Sequence, residues 1–335
     1  MNVIDAVKSW FSSSSEEPKV TIPVFKDNEV LIKVWAVGVN RDDIVDVATS
    51  VGFFHPGFEC SGIIEAVGRN ASCWKVGERV CAILEGGGYA EQVAVPADFL
   101  LPLPDDIDLD DAAGLPYASC CIWSALFKMQ TPDMLKDKII LIHEGFNGIG
   151  PLAIQYAKYM GLKVIVCTGN RDKLIIDDYG ADFCVDCTSR NFASEALKEI
   201  GSLGFDIVLD YGFSELERNI TWCKIGGNVV IVYLGGDNDI GTIDLLALRH
   251  MHIAVKVTNL RHKDFDYKAS VIAGLRADLW PAVLEKVHHR FPASEAQQAF
   301  DCLKKKDSVG KIIVRMDLEK STMDLEKSSG HFKMQ

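Results

Sequence analysis

Four runs rich in Val and Ile, separated by longer stretches of helical pattern, constrain the fold of this chain more than any other feature. They occupy residues 138–143, 163–167, 206–210 and 228–233. Strands buried on both faces are near-continuous apolar runs, and their alternation with helices is typical of parallel βαβ units. The sequence therefore predicts an α/β fold with a doubly wound parallel sheet after Pro116.

The residues before Pro116 have a different pattern. Short β-rich runs at 30–37, 62–68 and 79–84 are separated by Gly and Pro, which predicts a mostly-β half. A helical pattern over 278–306 and a last strand at 311–314 follow the parallel sheet. We expect the β-rich half to reclaim both. A chain of 335 residues also exceeds one ordinary hydrophobic core, so two domains are expected.

Composition narrows the classes of function. The chain has 35 Lys and Arg against 47 Asp and Glu, a net charge of −12, which makes nucleic acid an unlikely partner. No apolar stretch approaches the ~18 residues of a membrane span, and the N-terminus lacks a secretory pattern. We therefore predict a cytoplasmic protein with no membrane association. Ten scattered cysteines fit free thiols better than a disulfide framework.

The first strand of the parallel set continues into a glycine turn and then a helix. Gly145, Asn147 and Gly150 take the three positions of the dinucleotide fingerprint G-x-G-x-x-G, with Gly148 and Ile149 between them. A helix N-terminus presents unpaired N–H groups and a partial positive charge. The turn therefore predicts a pyrophosphate site.

The end of the next strand indicates which dinucleotide binds. NAD-binding chains carry an acid there, whereas this chain has Gly169, Arg171 and Lys173. Two cations suit a 2′-phosphate, so we predict NADPH as the cofactor. In the alternative interpretation, Arg171 and Lys173 only begin a solvated helix, and Asp172 between them adds a competing charge.

Seven sequence blocks occur in a characteristic order, at 29–34, 39–43, 57–62, 76–80, 87–91, 153–158 and 310–314. Together they resemble the zinc-free quinone oxidoreductase (zeta-crystallin-like) branch of the medium-chain dehydrogenase/reductase superfamily. The similarity covers about residues 20–316 and is strongest to the tumour-suppressor-inducible quinone oxidoreductases, which share residues 141–143 and 86–88.

The resemblance implies a domain organisation. A flexible N-terminal arm over 1–19 would precede a GroES-like, mostly-β catalytic domain over 20–115. A Rossmann NADPH-binding domain would occupy 116–256, residues 257–316 would return to the catalytic domain, and 317–335 would be a disordered tail.

The resemblance also implies that no metal binds. Zinc enzymes of the superfamily carry Cys where Asn40 stands and His where Phe58 stands. Asn40 would instead be catalytic, donating a hydrogen bond to the substrate carbonyl, although an Asn that stabilises a turn before a helix is an equal alternative. Phe53 and Phe54 replace a loop Tyr of the family and would stack on a flat substrate, with core and lid packing as the alternative.

The remaining cofactor contacts come from the resemblance alone. Tyr233, Leu234, Gly235 and Leu260 would lie against the nicotinamide. Three further positions depart from the family pattern, because Cys121, Cys187 and Ser308 stand where relatives carry Thr, Tyr and Asn.

The implied function is hydride transfer from NADPH to quinones or other electron-poor carbonyl or enone acceptors. An enoyl reductase is the nearest competitor, but it needs a proton donor beside the substrate, and the missing loop Tyr counts against it. The alternative of another class is a catalytically weak NADPH-binding or RNA-binding structural member. Residues 251–258 predict an exposed edge strand through which two copies would pair as a homodimer.

Overall fold

The structure, a computed structural model, describes residues 23–43, 56–128, 132–144, 148–168, 179–186, 189, 191–199, 201–212, 215–232, 243–278, 280, 287–304 and 310–316. The strands are β1 (Glu29–Val39), β2 (Glu59–Val67), β3 (Arg79–Ile83), β4 (Gln92–Pro96), β5 (Leu100–Pro102), β6 (Ile139–His143), β7 (Lys163–Thr168), β8 (Phe183–Asp186), β9 (Phe205–Asp210), β10 (Cys223–Val232), β11 (Ala254–Thr258), β12 (Val287–Pro292) and β13 (Lys311–Arg315). The helices are α1 (Leu109–Ala112), α2 (Pro116–Ile122), α3 (Pro132–Leu135), α4 (Gly150–Tyr159), α5 (Phe192–Glu199), α6 (Leu216–Trp222), α7 (Leu245–Met251), α8 (Phe265–Asp278) and α9 (Ala296–Lys304).

The parallel sheet has the strand order β11-β10-β9-β6-β7-β8, and all of its pairings are parallel. The chain winds outwards from β6 in one direction and from β9 in the other, which confirms the doubly wound Rossmann fold. Ligands of such sheets bind beyond the carboxyl ends of the strands, where the winding reverses. That place is the end of β6 and β9.

Burial explains why the Val and Ile runs form this sheet. All five residues of β6 are buried. Ile140 and Ile142 pack in the hydrophobic core that α2 and α4 also enter, whereas Ile139 and Leu141 pack in a second core on the opposite face. Alternate side chains of a strand point to opposite faces. A continuous apolar run is therefore what two covered faces require.

The second sheet is mostly antiparallel and has the order β12-β13-β1-β2-β3-β5, with β4 also paired to β1. β13 pairs with β1 at Val37 and Val314, although these residues are far apart in the sequence. The chain therefore leaves this sheet after β5, builds the parallel sheet, and returns through β12 and β13.

The structure corrects two expectations about local structure. Residues 287–292, inside the expected helical stretch 278–306, form β12, because they pair in parallel with β13. The expected strand over 251–258 begins only at Ala254, since Met251 ends α7 and His252 adopts a left-handed φ of 51° that terminates the helix.

Direct contacts hold α8 and Trp280 against the mostly antiparallel sheet. Lys268 on α8 forms an ion pair with Glu85 at 2.7 Å, and the Trp280 indole N–H donates to the Pro102 carbonyl at 2.7 Å. These contacts position the cleft between the sheets. Among the described residues, the helices are too short or too polar to cross a lipid bilayer.

Candidate active site

A cavity of about 470 Å³ lies between the two sheets, just beyond the carboxyl end of β11. Its apolar wall consists of Phe58, Ile83, Leu84 and Leu260. Its polar wall includes Tyr117, Arg261, His262 and Lys268. A volume of this size holds a small organic molecule, and a mostly apolar lining with a few convergent polar groups is typical of such sites.

The inner part of the cavity combines aromatic rings with a cation. The rings of Phe58 and Tyr117 lie 6.2 Å apart between centroids. The Arg261 guanidinium carbon lies 4.8 Å from the Phe58 ring centroid, a cation–π contact. This wall therefore places a positive charge, packed on an aromatic ring, beside the cavity.

A carboxyl group lies directly behind the Tyr117 side chain. The Tyr117 hydroxyl donates a hydrogen bond of 2.6 Å to Asp42 Oδ2, and both side chains are buried. Burial raises the pKa of Asp42 to about 6, while the Tyr117 hydrogen bond and the Arg261 charge oppose that rise. Burial also raises the pKa of Tyr117 well above its usual value. Asp42 therefore gains and loses its proton near neutral pH while Tyr117 stays protonated.

A charged network supports Tyr117 from below. Lys311 Nζ donates to Glu59 Oε1 at 2.9 Å and to Asn40 Oδ1 at 2.8 Å, and Asn40 Nδ2 donates to Glu59 Oε1 at 2.8 Å. The second Glu59 oxygen accepts the backbone N–H of Tyr117 at 2.8 Å. A Cβ at Gly38 would overlap the Glu59 carboxylate, so only glycine fits there. The network thus connects β1, β2, β13 and the first turn of α2.

The Asp43 carboxylate holds two parts of the backbone that are apart in the sequence, one at Asn40 and one at Gly57. It accepts the backbone N–H of Asn40 and of Gly57, each at 2.7 Å. Burial raises the pKa of Asp43 to about 7, although these two hydrogen bonds oppose the rise.

The start of α4 is suited to a dinucleotide pyrophosphate. The helix begins at Gly150 with Pro151 in its first turn, and its N-cap residue, Ile149, provides no side-chain hydrogen bond to cap it. Gly148 has a left-handed φ of 56°, and a Cβ built there would meet only open space. The Gly148 N–H lies 3.4 Å from the Gly310 carbonyl, a long contact that ties the turn to β13. An uncapped helix start beside an open glycine fits a bound phosphate group.

A row of buried side chains crosses the reversal point of the parallel sheet. His143 Nε2 and Asn219 Oδ1 lie 2.9 Å apart, and Asn219 Nδ2 donates to Asp210 Oδ2 at 2.7 Å. Because a carboxylate only accepts, Asn219 must turn its amide nitrogen to Asp210 and its oxygen to His143. His143 Nε2 therefore carries the hydrogen.

The structure brings some of the predicted site residues together. Leu260 lines the cavity, and Asn40 and Cys121 are buried close behind it, with Cys121 on α2. Asn40 uses both amide atoms in the network, but Nδ2 has a second hydrogen, so its predicted bond to a substrate stays a prediction. Gly148, Ile149 and Gly150 stand at the start of α4. The other predicted residues lie outside the described ranges: Phe53, Phe54, Gly145, Asn147, Gly169, Arg171, Lys173, Cys187, Tyr233, Leu234, Gly235 and Ser308.

The sequence analysis missed the charged and aromatic residues that form the site. Asp42, Glu59, Tyr117, Arg261 and Lys311 were not predicted. A readable signal existed for two of them, because Glu59 and Lys311 are charged residues that directly precede runs of buried strand residues. Buried charges require partners, so these two could have been paired with one another.

At the two positions where the family resemblance expects the zinc ligands of related enzymes, this chain has Asn40 and Phe58, and Phe58 belongs to the cavity wall. Among the residues that the structure describes, no group of three or more His, Cys, Asp or Glu side chains could hold a metal ion.

Comparison with known proteins agrees with this architecture. Residues 26–105 match the alcohol dehydrogenase GroES-like domain, and residues 148–273 match the zinc-binding dehydrogenase family. A human quinone oxidoreductase is 30% identical over 274 residues, which cover 76% of this chain and 80% of the relative. The chain belongs to the zinc-free quinone oxidoreductase branch of the medium-chain dehydrogenase/reductase superfamily.

Solved structures of similar proteins cover most of this quinone oxidoreductase-like chain. The quinone oxidoreductase from Thermus thermophilus, solved also as a complex with NADPH, is 27% identical with a TM-score of 0.72 and covers 90% of this chain and 95% of its own. The CurK enoyl reductase has a TM-score of 0.77 at 22% identity, with 90% and 94% covered. The second likeness shows the fold alone.

Proposed function

We propose that the chain is a zinc-independent reductase that transfers hydride from NADPH to quinones or other electron-poor carbonyl or enone acceptors. The observation that carries this proposal is the cavity between the sheets. A planar acceptor fits against Phe58, and the Arg261 charge stabilises an oxygen that gains negative charge. The quinone oxidoreductase relatives, one of them solved with NADPH, support the same assignment.

The nicotinamide, when bound, supplies the hydride, and the chain's residues bind and orient the reactants. The N–H groups at the start of α4 and the open backbone of Gly148 would hold the pyrophosphate. Arg171 and Lys173 would hold the 2′-phosphate. The apolar cavity wall, with Leu260, excludes water, and Asn40 would hydrogen-bond the acceptor oxygen.

Turnover with a panel of acceptors tests the function. The protein is mixed with NADPH and a series of ortho-quinones and enones, and the nicotinamide absorbance is followed. Loss of absorbance with at least one acceptor supports a reductase. Tight NADPH binding by calorimetry without any turnover, or retention of uridine-rich RNA at physiological salt, would instead favour the structural alternative.

The preference for NADPH has its own test. Replacing both Arg171 and Lys173 by Ala removes the proposed partners of the 2′-phosphate, and each charge-assisted hydrogen bond contributes about 2 kcal/mol. We expect the KM for NADPH to rise about 30-fold or more, while the KM for NADH changes less than about 2-fold. Lys163→Ala is the matched control, because Lys163 is an exposed lysine at the opposite end of β7. Equal losses with both cofactors would contradict the assignment.

We also propose a homodimer formed along β11. This edge strand exposes Val257 at 52%, and the adjacent α7, with no buried residues, exposes Leu245 at 74% and Leu246 at 62%. Such an apolar edge invites pairing. Light scattering is expected to give the mass of two chains, and Val257→Glu the mass of one. A single-chain mass for the unaltered protein overturns this part.

The cytoplasm is the proposed location. The described cysteines are unbridged, as expected in a compartment that keeps thiols reduced. Fractionation of cells that express the intact chain tests this placement, and recovery with a membrane or secreted fraction would contradict it.

A further inference from the structure

The cavity wall contains the proton donor that sequence reasoning did not find. Tyr117 faces the cavity beside Phe58, and its hydroxyl is bonded at 2.6 Å to Asp42, which is buried behind it. We propose that Tyr117, supplied by Asp42, is the acid that delivers a proton to the acceptor in this cavity. The assignment rests on the proposed reductase function and names the residues that complete it.

The position of Tyr117 is fixed independently of its hydroxyl. Its backbone N–H donates to Glu59, which Lys311 holds in place. The backbone of Tyr117 is therefore held in place where its side chain lines the cavity. An acid catalyst requires such a fixed position, because a proton donor must lie within reach of the acceptor before its pKa matters.

The protonation state of Asp42 controls where the Tyr117 hydrogen points. When Asp42 is ionised, the Tyr117 O–H donates to Asp42 Oδ2, as the structure shows. When Asp42 is protonated, its own O–H donates to Tyr117 Oη, and the Tyr117 hydrogen becomes available to the cavity. The surrounding titratable and charged groups are Arg41, Asp43, Glu59, Cys121, Arg261 and Lys311. The pKa of Asp42, about 6, makes the protonated form accessible under mildly acidic conditions.

The transfer balances in atoms and charge. For an enone, the bound cofactor would supply a hydride to the β-carbon, with loss of one nicotinamide C–H bond and oxidation of that ring, and the C=C electron pair would shift towards the carbonyl oxygen. Tyr117 Oη gives its proton to that oxygen and takes the proton of Asp42. Asp42 is left as a carboxylate and regains a proton from water. The enol product then tautomerises to the saturated ketone in solution.

Enones and quinones should differ in how much their reduction needs the Tyr117–Asp42 pair as a proton donor. An enolate is a strong base and benefits greatly from a positioned acid. Hydride addition to a quinone instead leaves a phenolate-type anion of the hydroquinone, which is a weaker base that water can protonate. The Tyr117–Asp42 pair should therefore matter far more for enones than for quinones.

The experiment compares Tyr117→Phe and Asp42→Asn with the unaltered protein on one enone and one quinone, across pH. For the unaltered protein, kcat/KM for the enone should fall about tenfold per pH unit above about pH 6. In both variants, kcat/KM should fall about 100-fold or more for the enone but less than about 10-fold for the quinone. The pH dependence of kcat/KM for the enone should also disappear. NADPH affinity and thermal stability, measured in parallel, establish that the variants fold and bind.

Two further variants keep the test decisive. Tyr89→Phe is the matched control, because the Tyr89 hydroxyl is buried with no hydrogen-bond partner among the described residues. It should leave both activities unchanged. Arg261→Gln removes a charge that lowers the pKa of Asp42. The pH above which kcat/KM for the enone falls should therefore rise, while Tyr117 and Asp42 themselves are unchanged.

The outcomes separate the two proposals. The proton-donor assignment is overturned if kcat/KM for the enone still falls with rising pH in Tyr117→Phe, or falls at the same pH in Arg261→Gln as in the unaltered protein. The reductase function stands in either case. No turnover by the unaltered protein with any acceptor overturns the function, and the donor assignment with it.

Discussion

Each domain buries a polar cluster, and the two clusters differ in charge. In the mostly-β domain, Lys311, Glu59 and Asn40 form a charged network that is 8% exposed or less at every member. In the parallel sheet, Asn219 connects His143 to Asp210 through its amide. The first cluster is held together by opposite charges, and the second by one amide that can both donate and accept.

The difference follows from what each cluster must join. Lys311 reaches residues that are 252 and 271 positions away in the sequence, and its ammonium group offers three donors to them. The row at His143 joins the ends of β6 and β9 through Asn219 on α6, and Trp222 stacks on the imidazole with 6.1 Å between ring centroids. Long-range assembly beneath the cavity thus depends on buried charge. Order at the reversal point depends on the hydrogen bonds of one amide.

Lys311→Met should produce the largest loss of stability. The substitution keeps most of the volume but leaves the Glu59 carboxylate buried without its cation, which costs about 4 kcal/mol of unfolding free energy. Denaturant unfolding measures the loss. Adding Glu59→Gln to the same chain should recover part of it, because no uncompensated charge remains. Lys75→Met, at an exposed lysine, is the control, and an equal loss there would contradict the distinction between the clusters.

Asp42→Asn should change how stability depends on pH. The folded pKa of Asp42, about 6, lies above the unfolded value, so its stabilising contribution is complete below about pH 4 and is lost as pH rises through 6. The shift corresponds to about 3 kcal/mol. The difference in unfolding free energy, variant minus unaltered protein, should therefore increase by that amount between about pH 4 and pH 7. A difference that stays constant with pH would show that Asp42 is not held in this way.

Most strands of the parallel sheet were predictable because their signal is local, whereas the short edge strand β8 was not predicted. Each Val and Ile run is long enough to identify a strand by itself, and burial on both faces requires the run to be continuous. The glycine turn is equally local. The segment that forms β12 carries no such signal, since its strand state comes from pairing with β13, and the sequence pattern favoured a helix.

The active-site residues were harder to predict because they come together only in the folded chain and no sequence motif marks them. Asp42 and Tyr117 are 75 residues apart, and neither stands in a motif that marks an acid pair. Arg261 follows an edge strand and reaches Phe58 only through the fold. By contrast, Lys311 stands at the start of an apolar strand, directly before its buried run, so a buried partner of opposite charge was foreseeable.

Asn219→Ala should have the smallest effect of the three on folding, about 2 kcal/mol, because it removes two hydrogen bonds and leaves the His143 and Asp210 side chains only partly satisfied. Asp210 keeps the Tyr211 backbone N–H, which limits the cost. Asn70→Ala, at an exposed asparagine, is the matched control. Nitrogen NMR of the imidazole should find the hydrogen on Nε2 of His143 in the unaltered protein and a mixture of tautomers in the variant. If Nδ1 carries the hydrogen in the unaltered protein, Asn219 does not orient this ring, and the parallel sheet lacks the amide-mediated order that distinguishes it from the charged cluster.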